Sequence, residues 1–212
     1  MMEWDKYFEM IKNWKKLPAY SLERRIDSLL GYYLPSFLED KCNTGEITAI
    51  IPEFPIRIRT IRSEHADNNE ACRFDFMAVN NTGDCYLIEV KTDEKSIRDI
   101  QMQDLERIKK SLPSDIFEGI IKVLDNKNSS KRKKNRCLKE ILMALNLIDE
   151  KKYTGNGKKI EVIAILPDEK RAGKIDFKKI GFEQLADWFR EKNDVGEFEK
   201  SFSNALKSWT ND

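Results

Sequence analysis

Three residues stand out by type and spacing: Asp75 in the stretch 72–79, and Glu89 with Lys91 in the stretch 85–91. Both stretches are rich in aromatic and β-branched residues, and residues 80–84 between them, Asn-Asn-Thr-Gly-Asp, suit a turn, so the whole predicts a β-hairpin. Side chains alternate along strands, which puts Arg73, Asp75, Met77 and Val79 on one face of the first arm and Leu87, Glu89 and Lys91 on one face of the second. Thr82 is equidistant in sequence from Asp75 and Glu89, so pairing symmetric about it sets the two carboxylates directly opposite each other. Opposed β-carbons lie about 5 Å apart, and like charges there repel. A cation belongs with them: Lys91, or a divalent ion such as magnesium, which takes hard oxygen ligands. A slip of one residue would send the acids to opposite faces.

The elements that must position these groups can be read in order. Trp4, Tyr7, Phe8, Ile11 and Trp14 recur at helical spacing over 3–16, and Pro18 closes that helix. Its aromatics read as core or as a dimer contact rather than a base-stacking platform, which leaves a homodimer open. A second helix starts after Ser21 as N-cap, carries Glu23 in its first turn, and is expected to kink or end at Pro35 before an Asn43-Thr-Gly45 turn. The β-branched stretch 47–61, interrupted by Pro52 and Pro55, predicts a first strand with an irregular or edge portion. Glu53, between the prolines, reads as structural or exposed, with a place facing the site from the first strand as the alternative. His65 lies in a polar loop and is assigned nothing.

After the hairpin, a helix is expected over 97–112, stopped by Pro113. Another short helix follows around 117–124. The basic run through Lys131-Arg-Lys-Lys-Asn-Arg136 reads as a solvated loop, though clustered cations also attract a phosphate backbone, and a helical pattern resumes over 137–147. A buried strand at 159–166, then helices over 182–188 and 198–209, complete the chain. The expected fold is α/β, a mixed sheet of about four to five strands flanked by helices. One domain is expected, with a core of about 20–112 plus 159–190, a helical insertion of about 114–158 and a C-terminal helix over 190–212.

Lys+Arg 38 against Asp+Glu 37 leaves net charge near zero, so any basic surface must be local. Cysteines at 42, 72, 85 and 137 form no Cys-x-x-Cys pair, and a single histidine argues against a zinc module. Reduced thiols, the absence of a leader pattern and the absence of an apolar run of about 18 residues lead to the expectation of a cytoplasmic protein with no membrane association.

Asp75 on the second strand and Glu89-Val-Lys91 on the third, after a helix with Glu23 followed by Ile26, Leu29 and Leu30, resemble the core of the PD-(D/E)XK nuclease superfamily. The match spans roughly residues 20–110 and the strand near 160–166; Phe74 stands where the motif's proline would precede the acid. Asp27 is the second choice for the helix acid. The stretch 89–101 is similar to that of some bacterial members, in which a glutamine on the following helix faces the site, a role carried to Gln101 and secondarily to Gln103.

The resemblance implies a restriction endonuclease-like α-β-β-β-α-β core and a metal-dependent nuclease acting on DNA rather than RNA. Asp75, Glu89 and the Val90 backbone carbonyl would hold Mg2+ or Mn2+, Lys91 would serve the attacking water, and Glu23 and Gln101 would orient waters. Two other readings stay open: a catalytically inactive module of the same fold that binds nucleic acid or a protein, and an interaction protein whose acids form a structural ion-pair network.

Overall fold

The computed structural model describes residues 3–15, 17, 22–64, 69–93, 99–126, 132–169, 176–192 and 195–210. Ser21, Pro18, His65, Ile97 and the basic residues at 127–131 fall outside these. Among the described residues the chain forms one five-stranded mixed sheet flanked by eight helices. The strands β1 (Ile47–Arg57), β2 (Ala71–Asn80), β3 (Cys85–Val90), β4 (Ile160–Leu166) and β5 (Lys178–Gly181) lie in sequence order across it. The first three are antiparallel neighbours, whereas β4 runs parallel to β3 and β5 parallel to β4. No described helix is long and apolar enough to cross a membrane.

Both faces of the sheet are covered, which is why β3 and β4 read as nearly continuous apolar runs. On one face, α1 (Glu3–Trp14), α2 (Glu23–Cys42), α7 (Phe182–Glu191) and α8 (Glu197–Trp209) pack Phe8, Ile26, Leu30, Phe189, Phe202 and Trp209 against Phe76, Ile88 and Ile163. On the other, α4 (Asp99–Lys110), α5 (Pro113–Leu124) and α6 (Arg132–Ala144) join Leu105, Ile108, Phe117, Ile120 and Leu142 to Met77, Leu87 and Val162. The segment expected as an insertion therefore supplies part of this second core layer.

The hairpin turn is held by Asn80, whose buried Oδ1 accepts hydrogen bonds from the amides of Thr82 (3.1 Å) and Asp84 (2.8 Å) and from the Thr82 hydroxyl (2.9 Å). Gly83 has φ +85°, and a Cβ there would lie 2.5 Å from the Asn156 carbonyl oxygen, so the turn requires glycine twice over. The resulting register, Val79↔Cys85 through Phe76↔Ile88, is the one symmetric about Thr82.

Four expectations are corrected. Pro35 neither ends nor interrupts α2, which continues to Cys42 because Phe37 and Leu38 beyond it are buried against the core. The first strand stops at Arg57, and Ile58–Ile61 form the single-turn helix α3, with Ile61 buried; burial overrides the β-preference of the isoleucines. The basic run is helical from Arg132 onward. Strict alternation also fails in the hairpin, since Phe74 and Met77 share a core layer, as do Ile51 and Phe54 opposite them. Arg73 is instead exposed, its Nη1 donating to the Glu53 carbonyl at 3.0 Å. Glu53, at the break, has φ +53°, a strained conformation for a glutamate.

Candidate active site

The site forms where β2 and β3 part. Their ladder ends at Phe76↔Ile88, so Asp75 and Glu89 occupy the next rung. There the Val90 amide, instead of bonding to the β2 backbone, donates to Asp75 Oδ2 at 2.6 Å. The amide and carbonyl of a strand residue point the same way, which directs the Val90 carbonyl toward the gap beside Asp75.

Lys91 spans the end of the sheet. Its Nζ is 2.5 Å from Glu89 Oε1 and 3.7 Å from Glu23 Oε2, and its side chain is nearly buried. Glu23 stands in the first turn of α2, on one face of the sheet, where the helix dipole favours a carboxylate. Gln101, from α4 on the other face, donates its Nε2 to Glu89 Oε1. The five residues singled out by sequence, Glu23, Asp75, Glu89, Lys91 and Gln101, are thus brought together by four elements. Gln103 is exposed and takes no part.

Two further acids belong to the cluster. Asp27 lies one turn beyond Glu23, and Glu53 on β1 falls opposite Asp75, between the pairs Pro52↔Phe76 and Phe54↔Phe74. Burial, then Asp75, Glu23 and Glu53, push the Asp27 carboxyl up to about 7, against the pull of Lys91. Burial pushes Asp75 to about 6, with Glu23 and Glu53 adding to the rise while the Val90 amide and Lys91 oppose it. Glu89 is raised by burial and by Asp75, and Lys91 pulls it back. Burial disfavours the Lys91 ammonium, but Glu89, Glu23 and Asp75 outweigh that and hold it above the ordinary lysine value.

Five carboxylates around one ammonium leave positive charge wanting. Glu89 Oε2 and Asp27 Oδ1 are buried with no hydrogen-bond partner among the described residues, a costly state that a cation would relieve. No group of three or more His, Cys, Asp or Glu side chains among the described residues is arranged to hold a metal ion. The hard oxygen donors at the rung are the two carboxylates, Asp75 and Glu89, with the Val90 carbonyl beside them, a donor type that suits Mg2+ or Mn2+.

No family model matches the chain, and no curated protein or solved structure matches it at a significant level.

Proposed function

We propose that the chain is a metal-dependent nuclease of the PD-(D/E)XK type, with a restriction endonuclease-like core, that hydrolyses phosphodiester bonds of nucleic acid, DNA rather than RNA. The observation that carries this reading is the rung formed by Asp75 and Glu89 at the point where the β2–β3 ladder opens, with Lys91 at 2.5 Å from Glu89. Order and spacing of these residues agree with the motif the sequence resembles, and the mixed sheet with a parallel β3–β4 pair agrees with its core.

Asp75, Glu89 and the Val90 carbonyl would hold Mg2+ or Mn2+, which when bound supplies Lewis acidity at a phosphate oxygen and lowers the pKa of a bound water. Gln101 and Lys91 both engage Glu89 Oε1, which leaves Oε2 free to face the ion. The Lys91 ammonium, held charged by its acidic neighbours, hydrogen-bonds the attacking water and stabilises negative charge developing on the phosphate. Glu23, 3.7 Å from that ammonium, fixes its position and can orient a water. The second reading, a catalytically inactive module of the same fold, draws on the close tie between Lys91 and Glu89, which an ion-pair network would also show.

The test is incubation of the purified protein with plasmid, linear and single-stranded substrates, with and without Mg2+ or Mn2+, beside Lys91→Ala and Asp75→Ala. Cation-dependent cleavage abolished in both variants is the expected result. Cleavage unchanged in both removes the site, and no cleavage of any substrate supports the inactive module.

A further inference from the structure

A groove of about 770 Å3 runs between the outer edge of β1 and α6. Its floor is apolar, formed by Ile51, Pro52 and Pro55 with Leu138 and the half-exposed Ile141. Arg73, Lys133 and Lys134 line its sides. Lys133 and Lys134 are exposed and have no ion pair among the described residues. Lys133 also borders a second hollow of about 610 Å3 on the other side of α6, shared with Arg132 and Arg136. The first turn of α6 holds no acid, and the first one along the helix is Glu140. In a chain with almost equal numbers of basic and acidic residues, two adjacent lysines that have no ion pair among the described residues call for an anionic partner.

Two features narrow the partner. Among the described residues β1 pairs only with β2, yet Pro52 and Pro55 remove amide donors along its course, so the edge is a poor template for an added peptide strand. The groove also includes Glu53, the residue opposite Asp75, so one of its walls borders the acidic cluster. Cations beside apolar side chains match the two faces of a single nucleic-acid strand, phosphates on one side and unpaired bases on the other.

We infer that the groove between β1 and α6 holds a single strand of nucleic acid leading to the Asp75–Glu89 site, with Lys133 and Lys134 on its phosphates and the Ile51–Pro55 floor under its bases. This rests on the nuclease reading for its direction but is read out by binding. Labelled single-stranded and duplex oligonucleotides are titrated in the presence of Ca2+, with anisotropy as the signal. Wild type binds the single strand more tightly than the duplex. Lys133→Ala/Lys134→Ala weakens single-strand binding roughly 10–30-fold at about 0.1 M salt and lowers the salt slope by about 1.4, as expected for two lost phosphate contacts. Lys133→Arg/Lys134→Arg restores binding, and Lys6→Ala/Lys200→Ala, a charge-matched pair on α1 and α8, leaves it unchanged.

Equal binding by wild type and the Ala/Ala variant overturns the inference, as does binding of duplex alone, or displacement of an acidic peptide rather than of DNA by the Lys133 and Lys134 changes. If that variant binds and cleaves normally while Lys91→Ala abolishes cleavage, the groove fails and the nuclease reading stands. Lysine-dependent single-strand binding without cleavage by any form supports the groove and removes the nuclease. A wild type that neither binds nor cleaves overturns both.

Discussion

The Val90 amide donates a 2.6 Å hydrogen bond to Asp75 Oδ2, and this contact replaces a rung of the β2–β3 ladder. It both orients Asp75 and opens the gap toward which the Val90 carbonyl points, the place of the ion in the proposed nuclease site. Asp75→Asn keeps an oxygen acceptor for the amide but removes the charge. Cleavage is expected to fall by about 10²-fold or more, the scale of losing a charged group at the reacting centre. Folding should survive, with Tm equal to or above wild type at neutral pH, because a partly buried carboxylate has been neutralised. Turnover and thermal melts on the same preparation check both halves.

Asp27 gives stability a distinct pH dependence in the cation-free protein. Its folded carboxyl titrates near 7 against an ordinary value of 3.8, so between these values the folded state binds more protons than the unfolded state. Stability therefore falls as pH rises through that window, is unaffected by this group below it, and is lowest above it. Asp27→Asn should raise Tm above about pH 8 by about 3–6 °C, corresponding to about 1–2 kcal/mol once solvent screening of a half-exposed group is allowed for, and should change nothing near pH 4. Melts in chelator across the range test the sign; a gain at acid pH instead would remove the assignment.

Much of the hairpin was legible because its turn is specified locally. Asn80 and Gly83 fix the loop, the loop fixes the register, and the register puts Asp75 opposite Glu89. Glu53 was read as structural or exposed in preference to facing the site because its place depends on a break in alternation and a positive φ, which strand periodicity does not encode. Pro35 argued for the wrong helix end because local preference gave way to the burial of Phe37 and Leu38. Arg132 was placed in a loop because a basic run carries no apolar periodicity of its own. The pairing of Arg62 with Asp104, 42 residues apart, left no trace in spacing at all.

Gln101 acts through Glu89. Removing its amide leaves Glu89 Oε1 to Lys91 alone and loosens the carboxylate that, in the proposed nuclease site, presents Oε2 to the ion. Gln101→Ala is expected to weaken apparent Mg2+ affinity or cleavage by about tenfold or more, the usual cost of losing a partner that orients a ligand. Gln103→Ala, two residues along on an exposed position, should match wild type. Mg2+ titrations of cleavage, together with the rise in Tm on adding the cation, separate weaker binding from slower chemistry.

Asp104 on α4 is the hub that ties the end of α3 to the second core layer. Arg62 Nε donates to its Oδ1 at 2.8 Å and Nη2 to its Oδ2, with Arg107 at 3.5 Å, and the Asp104 side chain is only 4% exposed. Asp104→Ala strands the Arg62 guanidinium, itself 18% exposed, without its partner. Breaking a buried pair from one side costs about 3–5 kcal/mol, and the partial exposure of Arg62 puts this case near about 3, a Tm fall of about 6–12 °C. Replacing both, Arg62→Met with Asp104→Leu, should recover most of that loss, since no charge is then left buried. Denaturant melts of the two single variants and the double variant measure the coupling, and additive losses would show that the pair is not a unit.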